Sequence, residues 1–130
     1  MTEISLTLAL QHLSSDVANL LNVTPVPLGI ADPPNSTGVY MLLVDDVVVY
    51  IGEAKGSKGL RGRLLSKHLS GDDNHAIQRA FKEQFPDRFL RREHMKVHVC
   101  ARWLVVPDPA RTSALERLLI WLYKPEWNRT

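Results

Sequence analysis

The strongest constraint on this chain is the stretch from Gly38 to His68, GVYMLLVDDVVVYIGEAKGSKGLRGRLLSKH. Residues 38–43 and 47–51 are rich in β-branched and aromatic side chains and are separated by Asp45-Asp46. That pattern predicts a hairpin, although Asp-Asp is weaker turn chemistry than Asn-Gly. A loop from Gly52 to Gly59 with three glycines follows. Leu60, Leu64, Leu65 and Leu69 then recur at helical spacing, which predicts an amphipathic helix over 59–70.

On the N-terminal side, Leu6, Leu8, Leu10, Leu13, Val17, Leu20 and Leu21 predict a helix over 6–22, whole or broken at Ser14-Ser15. Residues 24–37 hold four prolines and read as a connecting arm without regular structure. Downstream, Asp72 or Asp73 caps a predicted helix over 74–85, with Ile77, Ala80, Phe81 and Phe85 inward and Pro86 as its stop. Residues 95–106 alternate as a third strand, with Val97, Val99, Ala101 and Trp103 on one face and Lys96, His98, Cys100 and Arg102 on the other. Asp108-Pro109 is a strong helix start. The last helix is expected from Pro109 to Tyr123, with Leu115, Leu118, Leu119 and Leu122 as its stripe. No internal repeat or low-complexity tract occurs.

At 130 residues the chain fits one domain. Its net charge of +2 permits nucleic-acid binding without demanding it, so the distribution of charge matters more than the total. The N-terminal residues carry Glu3 and no basic run, unlike a secretory signal. No apolar run approaches the roughly 18 residues of a membrane span. The lone Cys100 excludes an internal disulfide. A cytoplasmic location, with no membrane partner, is the expectation.

Several residues could carry chemistry. Antiparallel pairing would bring the hydroxyls of Tyr40 and Tyr50 near one point, although strand propensity alone also places tyrosines there. Gly52 suits a backbone that something approaches closely, or simply a strand end. Lys55, Lys58, Arg61, Arg63 and Lys67 form a basic run with no acidic residue inside 55–68. Such a run at a glycine-rich helix start suits phosphate, or is a solvated face. Glu116 either completes a capping box with Ser113 or, because Asp108 already caps that helix, is free for another role such as holding magnesium. The five histidines, His12, His68, His75, His94 and His98, show no zinc spacing with Cys100, and His94 and His98 are expected to share a strand face. Nucleotide-binding glycine motifs and a serine-nucleophile elbow are absent from the sequence.

Taken in order, Gly38-Val39-Tyr40, Tyr50-Ile51-Gly52, Leu60-Arg61-Gly62-Arg63-Leu64, Glu116 and Pro125-x-x-Asn128 resemble the signature of the GIY-YIG nuclease superfamily over about residues 38–128. The resemblance implies an α+β fold: a small α/β sandwich with a mostly antiparallel three-stranded sheet flanked by helices. It makes residues 38–130 a catalytic domain and gives no account of residues 1–30; the N-terminal helix and proline-rich arm, 1–37, are read from their own pattern as packing on that domain. It implies an endonuclease hydrolysing phosphodiester bonds in nucleic acid, DNA before RNA, with one divalent cation, Mg2+ or Mn2+. Glu116 would hold that cation, Tyr40 or Tyr50 would serve as general base or relay, and Arg63 would contact the phosphate. Gly38 and Gly52 would support the site, and Asn128 would tie the C-terminal segment to it.

The sequence departs from the family in three places. Glu53 follows Gly52 where relatives often carry lysine or a small polar residue. Relatives place histidine or tyrosine four residues after the arginine, whereas here that position is Lys67 and His68 comes one later; both are carried as supporting residues. Relatives usually add a separate DNA-binding domain, for which residues 1–30 leave little room. The alternative is therefore a nucleic-acid-binding module or partner-dependent subunit, with a protein partner or homodimerisation through the leucine-rich N-terminal helix.

Overall fold

The N-terminal leucines form one uninterrupted helix, α1 (Leu6–Leu21), in a computed structural model that describes residues 4–69 and 76–128, with the side chains of 67–69 and 76 outside the description. Ser5 caps it by accepting the Leu8 N–H at 3.2 Å. Ser14 and Ser15 lie on its exposed side, where their weaker helix propensity costs little and breaks nothing.

The proline-rich arm is more regular than expected. Val26–Pro27 forms a two-residue strand, β1, and Leu28–Ile30 a single 3-10 turn whose Leu28 is buried. The Leu28 N–H donates to the Val99 carbonyl at 2.9 Å. A strand this short leaves no periodicity to read, and proline is tolerated there because β1 is a sheet edge.

β2 (Gly38–Val44) and β3 (Val47–Ala54) form the expected hairpin. Asp45 and Asp46 both have positive φ, 51° and 64°, as a two-residue hairpin turn of the right twist requires. α2 (Gly59–Arg61) runs directly into a π-helix over Gly62–Leu69. The expected caps Asp72 and Asp73 lie outside the described residues, and α3 (Ala76–Lys82) follows. Within α3 the buried residues are Ile77, Gln78 and Phe81, while Ala80 is exposed rather than inward.

The largest correction concerns residues 88–98, which form a helix, α4 (Arg88–His98), so the strand expected from 95 starts later as β4 (Cys100–Val105). Asp87 caps α4 by accepting the Leu90 N–H at 3.0 Å. Its buried stripe is Arg91 and Met95, and Arg91 is fully buried. The guanidinium donates to the Phe85 carbonyl at 2.8 Å, the Pro86 carbonyl at 2.9 Å and Gln78 Oε1 at 2.9 Å. A buried arginine satisfied in this way hides the helix from any hydrophobic pattern. Val97 consequently points to solvent, and His94 and His98 stack on a helix face with ring centroids 4.3 Å apart.

α5 (Pro109–Tyr123) begins where expected, with Asp108 accepting from the Ala110 and Arg111 N–H groups. Its buried stripe is Thr112, Leu115 and Leu119; Leu118 is half-buried and Leu122 is exposed.

The sheet has four antiparallel strands in the order β1-β4-β2-β3, one more than expected, the addition being β1. One face buries Tyr40, Leu42, Ala54 and Ala101 against Leu60, Leu64, Ile77, Phe81 and Met95. The other buries Val39, Met41, Leu43 and Ile51 against Leu20, Leu115 and Leu119. Asp16, buried on α1, accepts from Arg111 of α5 through both carboxylate oxygens, at 2.7 and 2.5 Å. Helices thus cover both faces, and β3 is left as the second edge.

Candidate active site

The outer edge of β3 organises the site. An edge strand carries unpaired N–H and C=O groups that need partners. The Trp127 N–H donates to the Val49 carbonyl at 2.9 Å. Asn128 then accepts the Ile51 N–H through Oδ1 at 2.9 Å and donates through Nδ2 to the Ile51 carbonyl at 2.8 Å. Two residues on, the Glu53 N–H donates to the Glu116 carboxylate. Residues 49, 51 and 53 therefore use the edge as a ruler that fixes the C-terminal segment and Glu116 side by side.

On the helix-covered face beside this edge, Tyr40 and Tyr50 stand with ring centroids 6.2 Å apart. Tyr40 is opposite Gly52 in the β2–β3 register. A Cβ at position 52 would collide with the Tyr40 hydroxyl and lie 2.5 Å from its Cζ, so what approaches Gly52 is the tyrosine ring. Arg63, from the first turn of the π-helix, donates hydrogen bonds to both tyrosine hydroxyls. Burial raises the Tyr40 hydroxyl far above the ordinary phenol range, Tyr50 adds to this, and Arg63 only partly opposes it. Tyr40 is therefore a neutral phenol at physiological pH, while Tyr50 is half-buried and open to solvent on one side. Burial disfavours the Arg63 charge, but the two tyrosine oxygens outweigh it and the guanidinium is raised. Its Nε is buried with no hydrogen-bond partner among the described residues.

On the α5 side, burial raises the Glu116 carboxyl above the usual carboxylate range, and the Glu53 charge adds to the effect. Arg117, the Glu53 amide and Lys55 work in the opposite direction. Glu53 Oε1 lies 3.2 Å from Lys55 Nζ, which also donates to Ser113 Oγ at 2.5 Å. Glu53 Oε2 is buried with no hydrogen-bond partner among the described residues. The Glu116 charge also acts on Tyr40, as the smallest of the influences on its hydroxyl.

These carboxylates fit a divalent cation. Two close negative charges, one with an orphaned oxygen, make a hard-oxygen donor pair of the kind magnesium takes while keeping waters. Among the described residues no group of three or more His, Cys, Asp or Glu converges on one point.

The structure ties Tyr40, Tyr50, Gly52 and Arg63 to one another on one face of the β2–β3 pair, and Glu116 and Asn128 to the β3 edge through Glu53 and Ile51. Gly38 sits elsewhere, where a Cβ would strike the Leu104 carbonyl, so its role is close strand packing. The basic run is less free than its sequence suggests: Glu53, two residues before it, pairs with Lys55, and Asp32 from the proline-rich arm pairs with Arg61 at 2.5 Å. Lys58 and Arg61 line an open cleft of about 500 Å³ with Asn35, Gly62, Leu65 and Ser66. The side chains of Lys67 and His68 are outside the description. Their backbone lies in the π-helix. Ser113 was read only as a possible cap; its contact with Lys55 spans 58 positions and left no local signal.

No protein-family model matches the chain, and no curated protein matches it. Among solved structures, the chain shares the fold of the GIY-YIG endonuclease domain, in agreement with the order of its motifs. The matches include the N-terminal endonuclease domain of UvrC from Thermotoga maritima bound to magnesium as its catalytic divalent cation, at 24% identity and a TM-score of 0.51, covering 78% of this chain and 91% of that one. A tyrosine-to-phenylalanine variant of the same domain matches at 24% identity and a TM-score of 0.52, covering 79% and 91%. An asparagine-to-alanine variant matches at 23% identity and the same TM-score, with the same coverage.

Proposed function

We propose that this chain is a metal-dependent endonuclease hydrolysing phosphodiester bonds in nucleic acid, with DNA as the preferred substrate. The observation that carries this reading is the placement of Arg63 between two tyrosine hydroxyls, one of which, Tyr40, also feels the charge of Glu116. Residues 38–130 make up the catalytic unit in this proposal, and residues 1–37 a layer packed on it.

Glu116 would hold one divalent cation, Mg2+ or Mn2+, which when bound supplies positive charge to the scissile phosphate and the leaving oxygen. Arg63 would set its guanidinium against a non-bridging phosphate oxygen, adding fixed positive charge where negative charge grows. Tyr50 orients the attacking water and relays its proton, its oxygen taking that proton as the hydroxyl proton passes to solvent, since it is the tyrosine that reaches solvent. Tyr40, held neutral by burial, positions Arg63 and Tyr50. Asn128 fixes the β3 edge on which Glu116 depends. No helix among the described residues is long and apolar enough to cross a membrane.

The test is incubation with plasmid, single-stranded, flap and branched DNA, and matching RNA, with and without magnesium or manganese. Metal-dependent cutting lost in Glu116→Gln supports the reading, and the panel reports the preferred substrate. Binding that weakens with salt, without cutting, would instead support a binding module or a subunit that needs a partner.

A further inference from the structure

Glu53 is not explained by the roles assigned so far. It sits on β3 at 28% side-chain exposure, yet one carboxylate oxygen is wholly buried and has no hydrogen-bond partner among the described residues. Leaving a buried carboxylate oxygen unpartnered is costly. Its backbone N–H holds Glu116, so the two carboxylates are brought together by the same residue. Its other oxygen is 3.2 Å from Lys55 Nζ. Lys55 in turn is steadied by Ser113, one turn before Glu116 on α5.

We propose that Glu53 is a second carboxylate directed at the divalent cation of Glu116, and that Lys55 is its displaceable counter-ion. The inference rests on the metal-dependent reading above and extends it to residues outside the motif set. Two carboxylates on one face present more negative charge than a single ligand, and magnesium commonly accepts one or two. The Lys55 ammonium occupies the charge that a cation would otherwise neutralise. Binding of the cation then displaces that ammonium from Glu53, so Lys55 weakens metal affinity where Glu53 strengthens it. The released ammonium is free to meet the phosphate backbone.

The opposite signs make the proposal testable without a cleavage assay. Mn2+ binding to the full chain would be followed by titration calorimetry and by the spin-resonance signal of free Mn2+, for wild type, Glu53→Gln, Lys55→Met and Glu116→Gln. Glu53→Gln is expected to weaken Mn2+ binding about 10- to 100-fold. Lys55→Met is expected to tighten it several-fold, and Glu116→Gln to abolish it. Thermal melts without metal should show Glu53→Gln as stable as wild type or more so, which separates lost affinity from lost folding. Unchanged Mn2+ affinity in Glu53→Gln, with loss in Glu116→Gln, would overturn this inference and leave the nuclease reading standing. Weaker binding in Lys55→Met would overturn the counter-ion role. A wild type that does not bind Mn2+ would remove both this inference and the metal-dependent reading. Binding with the expected signs in a chain that cuts nothing would remove the nuclease reading alone.

Discussion

Asn128 treats Ile51 as a partner strand would, accepting its N–H at 2.9 Å and donating to its carbonyl at 2.8 Å. One side chain thereby replaces a missing strand at the edge that carries the site. Asn128→Ala removes both bonds and is expected to cost about 1–3 kcal/mol, since two part-buried backbone groups lose their partner. Asn128→Asp should cost at least as much, because it keeps the acceptor but sets a carboxylate oxygen against the Ile51 carbonyl. Denaturant melts of the two variants check the order; an aspartate variant as stable as wild type would contradict it.

Gly52 is fixed by Tyr40. A methyl group there meets the tyrosine ring as well as its hydroxyl, and the ring is fully buried. Gly52→Ala should therefore destabilise the chain by about 1–3 kcal/mol through overpacking. Adding Tyr40→Phe should not restore it, because the ring carbon Cζ lies at 2.5 Å from the new Cβ whether or not the hydroxyl remains. Thermal melts of the single and double variants provide the measurement.

Glu116 imposes a pH dependence whose sign follows from its raised pKa. Between the ordinary carboxylate range and the raised value, the folded chain holds more protons than the unfolded one. Its contribution to stability therefore falls as pH rises through that window. Glu116→Gln keeps an acceptor for the Glu53 N–H and removes the charge. The variant is expected to match wild type below the window and exceed it above. Added Mg2+ should stabilise wild type increasingly as pH rises and leave the variant unmoved. Urea melts across this range, with and without Mg2+, test both parts.

Asp16 and Arg111 clamp α1 to α5 through a two-pronged pair whose carboxylate is buried. Asp16→Ala should cost about 1.5–3 kcal/mol, as loss of hydrogen bonds to a charged group does. Asp16→Asn should recover part of that through one retained acceptor. Limited proteolysis after residue 22 would report whether the loss falls on α1 alone.

Legibility followed the physics of each segment. The hairpin and α5 were readable because apolar alternation and an Asp-Pro start are local signals. α4 was not, because its inward side begins with Arg91, satisfied by carbonyls and Gln78 that only the fold brings near. β1 escaped because two residues carry no period. Arg61 looked like free positive charge until Asp32, 29 positions away, came to meet it. Within the candidate site, Tyr40, Tyr50 and Gly52 could be brought together by register alone. The Glu53–Lys55–Ser113 chain joins β3 to α5 and left no pattern at either end.

Single-turnover cleavage of a labelled DNA substrate in Mg2+, comparing wild type with Tyr50→Phe and Glu116→Gln, tests the central claim most directly. Wild type is expected to cut; Glu116→Gln should be inactive while folded. Tyr50→Phe should bind equally well and cut about 100-fold or more slowly, the loss expected for a positioned acid–base group. Full activity in folded Glu116→Gln, or no cutting of any DNA by wild type with Mg2+ bound, would contradict the account.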